Sequence, residues 1–73
     1  MDRTEQINWL QSEAAALNQM SVTPADFDGD VEAFAVAQVG FWETTDRTAN
    51  PLPDWYDSVD RQLMIEHIIR SYE

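Results

Sequence analysis

The densest group of residues that could do chemistry is an acidic run between residues 26 and 32. Four carboxylates alternate along it, on Asp26, Asp28, Asp30 and Glu32. In extended backbone, alternate side chains project to the same side about 6.6 Å apart, so their oxygens could converge on one ion. Hard cations such as Ca²⁺ and Mg²⁺ take such ligands. One hypothesis is therefore a cation-binding switch at Asp26–Glu32, with Asp26, Asp28 and Asp30 as candidate metal ligands.

The spacing of this run departs from that of an EF-hand calcium loop. Counted from Asp26, the sixth position holds Val31 instead of Gly, and the twelfth holds Ala37 instead of Glu. The stretch Ala25–Asp30 resembles the metal-binding loop of the largest subunit of multisubunit RNA polymerases, where three alternating Asp hold the catalytic Mg²⁺. Residues 31–34 depart from that pattern, and the family mounts its loop in a barrel too large for this chain. An acidic turn exposed to solvent explains the same run with no metal and no catalysis.

Nucleophilic and acid–base catalysis has few candidate groups in this chain. There is no Cys and no Lys, and His67 is the only His. On a helical wheel His67 lies off the apolar stripe of residues 64–72, as a surface residue would. A chain this small leaves little room for a pocket of several hundred Å³, and it has no Gly-rich phosphate loop. We therefore expect no enzyme, no catalytic residue and no cofactor.

Net charge gives the strongest indication of function. The 73 residues include 14 acids and four Arg, for a formal net charge of −10. Nine of the acids lie between Pro24 and Asp60, against Arg47 alone, a net charge of −8. Such a chain repels nucleic acids and anionic membranes and is attracted to cationic surfaces of other proteins. Adaptation to high salt, or a genome that prefers Arg to Lys, would give a similar composition.

The spacing of apolar residues predicts three helices, at residues 2–18, 30–43 and from 54 toward the C-terminus. Pro24 favours a short helical turn between the first two. Residues 44–53 form the main loop, because the residues before its two Pro are biased away from helix. We expect an all-α fold, a small three-helix orthogonal bundle with one long Pro-containing loop, forming a single domain over residues 1–73.

Residues suited to capping stand at each predicted helix start. Asp2 and Glu5 are spaced like a capping box, and Thr23 precedes the short turn. Asp30 and Asp54 are the expected caps of the second and third helices. Gly29 permits the positive φ that would end the short turn.

Aromatic residues give a second indication of an interface. Trp55 and Tyr56 follow the Pro-containing loop and are accompanied by Asp54, Asp57 and Asp60. We expect this pair to be exposed and to anchor a contact, because binding hot spots favour Trp and Tyr.

These observations favour a small acidic protein-binding module, an inhibitor or modulator that occupies a basic, nucleic-acid-binding surface of a larger protein. In size and charge it resembles the DNA-mimic and anti-defence proteins of phages and mobile elements, without a shared motif. The expected partner-binding residues are Asp26, Asp28, Asp30, Glu32, Asp54, Trp55, Tyr56, Asp57 and Asp60. The alternatives are the cation-binding switch and a structural or accessory subunit, including a homodimer through residues 64–72.

Segments for secretion or membrane insertion are not evident. The longest apolar run is far below the roughly 20 residues that span a bilayer. Met1–Glu5 lacks the basic start and apolar run of a signal peptide. Without Cys there is no disulfide framework. We expect a cytoplasmic protein that binds neither membranes nor nucleic acid directly.

Overall fold

Three helices and one short 3₁₀-helix make up the computed structural model, which describes residues 1–45 and 47–73. Asp46, in the predicted loop, lies outside the described residues. The elements are α1 (Arg3–Leu17), the 3₁₀-helix η1 (Pro24–Phe27), α2 (Val31–Thr44) and α3 (Ser58–Arg70). The described residues contain no strand. The predicted all-α, three-helix bundle is therefore confirmed.

Contacts at the two ends of the bundle give it an up-down-up arrangement. Arg3 contacts Asp60 and Asn18 contacts Ser71, so the start of α1 lies beside the start of α3, and the two helix ends also lie together. In contrast, Glu43 at the end of α2 contacts Arg61 near the start of α3. The helix α2 is thus antiparallel to α3. Since α3 packs against both other helices, it completes the core.

The first two helices start where sequence predicts. The backbone N–H of Glu5 donates to the Asp2 carboxylate at 2.9 Å, and that of Ala33 donates to Asp30 at 3.0 Å. Each bond satisfies one of the backbone donors that a helix start leaves free. Asp2 and Asp30 therefore act as the predicted N-caps.

The third helix starts later than predicted, and Asp54 is not its cap. Asp57 accepts hydrogen bonds from the N–H groups of Val59 and Asp60, at 3.0 and 3.2 Å. The Asp60 carboxylate accepts in return from the Asp57 N–H at 3.2 Å, which completes a capping box. The reason for the later start is packing, because residues 54–56 form a turn that brings two aromatic rings onto the core.

The turn between α1 and α2 follows the prediction in detail. Thr23 stands before η1, and its N–H donates to the Asp26 carboxylate at 2.9 Å. Gly29 has φ +81°, and Asp28 before it is also left-handed at φ 57°. This backbone reverses the chain so that Asp30 can cap α2.

The core contains apolar side chains from all three helices and is closed at one end by aromatic rings. The Trp9 ring lies 5.9 Å from that of Trp42 and 5.7 Å from that of Trp55, and Tyr56 lies 5.4 Å from Trp42. Such tilted and edge-on pairs are favourable beyond the area they bury. The buried apolar residues are Leu10, Ala14, Leu17, Phe34, Ala35, Val39, Trp42, Met64, Ile65 and Ile68.

Arg47 holds the long loop against the end of α2. Its Nε donates to the Trp42 carbonyl at 3.0 Å and its Nη1 to the Asn50 carbonyl at 2.8 Å. The guanidinium also lies 4.7 Å from the centre of the Trp42 ring, which adds a cation–π contact.

Among the described residues, no helix has the length and apolar character needed to cross a membrane.

Candidate protein interface

The first acidic segment, Asp26–Glu32, lies at the N-terminal end of α2 and is open to solvent. Its four carboxylates belong to exposed residues. The ion pairs among the described residues are Arg3–Asp60 and Arg61–Glu43, so none of these four carboxylates is paired with an Arg. The segment therefore presents uncompensated negative charge.

The carboxylates of this segment are directed to helix starts and not to a shared ion. Asp26 accepts from the N–H of Thr23 and Asp30 accepts from the N–H of Ala33, at the starts of two different helices. In residues 1–45 and 47–73, no three His, Cys, Asp or Glu side chains are grouped so as to hold a metal ion. The structure thus gives no support to Asp26, Asp28 and Asp30 as metal ligands.

Only part of the second segment expected to bind a partner, residues 54–60, is exposed to solvent. Asp54 and Asp57 are exposed, but Trp55 and Tyr56 are half-buried. The expectation of an exposed aromatic pair is therefore wrong. The physical reason is that a core of three short helices leaves its end open, and these rings cover it by packing on Trp9 and Trp42.

Asp60 is buried, which corrects the expectation that it lies on the acidic surface. Its exposed fraction is 1%. One carboxylate oxygen lies 2.6 Å from Nη2 of Arg3, and the other accepts from the Asp57 N–H. Asp60 therefore joins α1 to the start of α3, and its burial keeps it from contacting a partner.

A polar bridge joins the loop, α2 and α3 through Tyr56, Glu43 and Arg61. The Tyr56 hydroxyl donates to Glu43 Oε2 at 2.8 Å, and Arg61 Nε donates to Glu43 Oε1 at 3.1 Å. Burial raises the pKa of the Tyr56 phenol, and the hydrogen bond to the Glu43 carboxylate raises it further. The phenol thus stays protonated and keeps its role as donor.

The two acidic segments lie at opposite ends of α2. The first spans the start of α2 at Val31, and the second is tied through Tyr56 to Glu43 near the end of α2. At 1.5 Å per residue, Val31 and Glu43 are about 18 Å apart along the helix. This exceeds the screening length of about 8 Å at physiological ionic strength, so the segments act as separate patches. Only the first, Asp26–Glu32, keeps all its predicted acidic binding residues exposed.

The homodimer stripe expected at residues 64–72 is used inside the molecule. Met64, Ile65 and Ile68 are core residues with exposed fractions of 3% or less. Tyr72 is partly exposed, and its ring packs edge-on against Phe34 at 5.5 Å. Most of this stripe therefore lies inside the monomer, with Tyr72 left at the surface.

An exposed apolar face on α2 was missed by the sequence analysis. Ala33, Val36, Ala37 and Phe41 are exposed, with fractions of 40% for Val36 and 46% for Phe41. They follow one another at spacings that share a helix face, opposite the buried side of α2. The signal in the sequence was that α2 is apolar on both sides.

The acidic segment and this apolar face meet in one groove. The groove is shallow and open to solvent, and it is lined by Asp30, Glu32, Ala33, Val36 and Ala37. Negative charge at one end and aliphatic surface along the rest form a mixed surface of the kind that binds other proteins.

The chain matches no protein-family model, and neither the curated proteins nor the solved structures contain one with significant similarity to it.

Proposed function

We propose that this chain is an acidic protein-binding module that occupies a basic surface of a larger protein, one that otherwise binds nucleic acid. The observation that carries the proposal is the exposed, unpaired acidic segment Asp26–Glu32 in a chain of net charge −10. Its carboxylates would take positions that phosphates hold in the competing complex. The module would then act as an inhibitor or modulator in the manner of a DNA mimic.

Electrostatics accounts for how such a module would find its partner. Ten acidic residues are exposed in the described part of the chain. Of the four Arg side chains, Arg3 and Arg61 pair with acids outside the segment Asp26–Glu32. Long-range attraction of this kind raises association rates and depends steeply on salt.

The test uses an Arg-rich, nucleic-acid-binding peptide as the probe of a basic surface. We expect the protein to bind the peptide and to displace a DNA duplex from it, with affinity falling as salt rises from about 50 to 200 mM. Binding is measured by the anisotropy of a labelled peptide, and the contact by amide shifts of residues 26–32. An affinity that does not change with salt would contradict the proposal.

A matched pair of variants separates the segment from total charge. The first carries D26N, D28N, D30N and E32Q, and the control carries E5Q, D54N, E66Q and E73Q, all at exposed positions. Both lose four negative charges, and Asn at positions 26 and 30 keeps a side-chain oxygen that can accept from the N–H groups of Thr23 and Ala33. We expect the first variant to bind about tenfold more weakly, since exposed ion pairs contribute about 0.2–1 kcal/mol each. Equal losses in both variants would show that the segment has no special role.

A structural or accessory subunit is the second candidate. It is favoured by the exposed apolar face of α2, which is unusual surface for an isolated small domain. Sedimentation equilibrium of the protein alone distinguishes it, because a stable oligomer at micromolar concentration would favour this candidate over the binding module.

A further inference from the structure

We propose that the exposed face of α2 binds the apolar side of a basic amphipathic helix on the partner. The inference rests on the proposed function and specifies the chemistry of the partner. The face consists of Ala33, Val36, Ala37 and Phe41, which is apolar from the acidic segment to the last turn of α2. It covers about 12 Å of helix, roughly two turns, so a short helical segment can lie along it.

The shape of the face suits a helix. Ala33 and Ala37 are small and exposed, and they let a second backbone approach closely. Val36 and Phe41 are the two large side chains, with 40% and 46% of their surface open to solvent. Packing of apolar side chains between these two is the way amphipathic helices dock on helical surfaces.

Charge complementarity decides in favour of a basic partner over a second copy. Asp30 and Glu32 line the same groove as Ala33 and Val36, so an occupant meets negative charge and apolar surface together. A second copy brings a net charge of −10 and the same acids. If the α2 helices of two copies packed in parallel, Asp30 and Glu32 of one copy would face the same acids of the other. If they packed antiparallel, these acids would face the negative, C-terminal end of the other α2 macrodipole. A helix with Lys or Arg beside its apolar stripe meets neither penalty.

The test of this inference uses three synthetic peptides of equal length as probes. The first is an amphipathic helix with Leu on one face and Lys or Arg on its flanks. The second replaces the cations with Glu, and the third replaces the Leu with Ser. We expect the first to bind best, the second not to bind, and the third to bind weakly by charge alone. Equal affinity for the first and third peptides would overturn the inference.

Two double variants identify the surface. V36S/F41S removes both large side chains of the α2 face, and V59S/M20S is the control, because Val59 and Met20 are exposed at 61% and 37%. We expect V36S/F41S to bind the first peptide about tenfold more weakly, with no change for the third peptide. The control should bind both as the unmodified protein does. Thermal unfolding of each variant checks that the fold is intact.

The outcomes separate the inference from the proposed function. If V36S/F41S binds the first peptide at full strength while the variant of residues 26–32 does not, the inference fails and the acidic module stands. If sedimentation shows a dimer that V36S/F41S dissociates, a second copy is the occupant and the inference fails. If no basic peptide binds, both proposals fail together.

Discussion

Asp60 shows that the role of a carboxylate depends on burial as much as on its neighbours in sequence. In the sequence, Asp60 ends an acidic stretch, and from that position alone it is expected to be one more surface charge. In the fold it is buried, paired with Arg3 and bonded to the start of α3. A buried carboxylate needs such partners, because losing hydration without compensation is costly. Its partner Arg3 lies 57 residues away, so no local pattern could indicate the pair.

The ion pair gives a direct stability prediction. R3A should destabilise the fold by about 1–3 kcal/mol, less than the roughly 3–5 kcal/mol of a fully buried pair, because half of the Arg3 side chain stays in water. R70A is the control, since Arg70 is exposed and its loss changes the net charge equally. Urea unfolding of both variants measures the difference. Equal free energies of unfolding for R3A and R70A would refute a structural role for the pair.

Tyr56 gives a prediction for alkaline pH. An unfolded Tyr ionises near about pH 10, and the raised pKa of Tyr56 means that the folded state holds this proton more tightly. Its contribution to stability is complete below about pH 10 and is lost as pH rises from there toward the raised pKa. At neutral pH, Y56F should be less stable by about 1 kcal/mol through loss of the hydrogen bond to Glu43.

The difference in free energy of unfolding between Y56F and the unmodified protein should become smaller as pH rises past about 10. Urea unfolding at a series of pH values from neutral to alkaline measures it. Y72F is the control, because Tyr72 is an exposed phenol whose ring keeps its contact with Phe34 in the variant. A gap for Y56F that stays constant across the series would show that the Tyr56 proton is not coupled to folding.

At the scale of elements, local chemistry was enough to place two helix starts and the turn between them. Asp2, Thr23 and Asp30 stand at helix starts because the backbone donors there need acceptors within three residues. At the start of α3 the expected cap was Asp54, but Asp57 has the same spacing to an acid three residues later. The choice between them is made by the core, which draws residues 55 and 56 out of helical geometry.

The two candidate caps can be compared directly. D57A should destabilise the fold by about 1 kcal/mol, because Asp57 accepts from the N–H groups of Val59 and Asp60. D54A removes the same charge from an exposed turn residue and should leave the free energy of unfolding unchanged within about 0.5 kcal/mol. Thermal or urea unfolding distinguishes them. A larger effect for D54A would contradict the assignment of the cap.

Hydrophobic periodicity alone could not predict which side of α2 is exposed. A helix that is polar on one side has only one possible buried face, but α2 is apolar on both. Which side is buried depends on where α1 and α3 lie, and these helices contribute side chains far away in sequence. Phe41 therefore lies on the exposed side of α2, while its neighbour Trp42 belongs to the core.

For the whole molecule, composition predicted the net charge and the spacing of apolar residues predicted the class of fold, but neither predicted the arrangement of charge. Two acidic stretches that are close in composition lie at opposite ends of α2. Likewise, the gathering of Trp9, Trp42 and Trp55 at one end of the core was not predictable from the sequence. Three rings from α1, α2 and the loop meet there only because the long loop folds back over the core.

The position of α3 has a consequence for how the chain is made. It is synthesised after α1 and α2, yet it packs on both earlier helices and supplies Met64, Ile65 and Ile68 to the core. At about 5–20 residues per second, residues 58–73 take about one to three seconds to synthesise. Through that interval the apolar side chains of Leu10 and Phe34 lack the helix that covers them. The core therefore cannot close until α3 has been made and has left the ribosome.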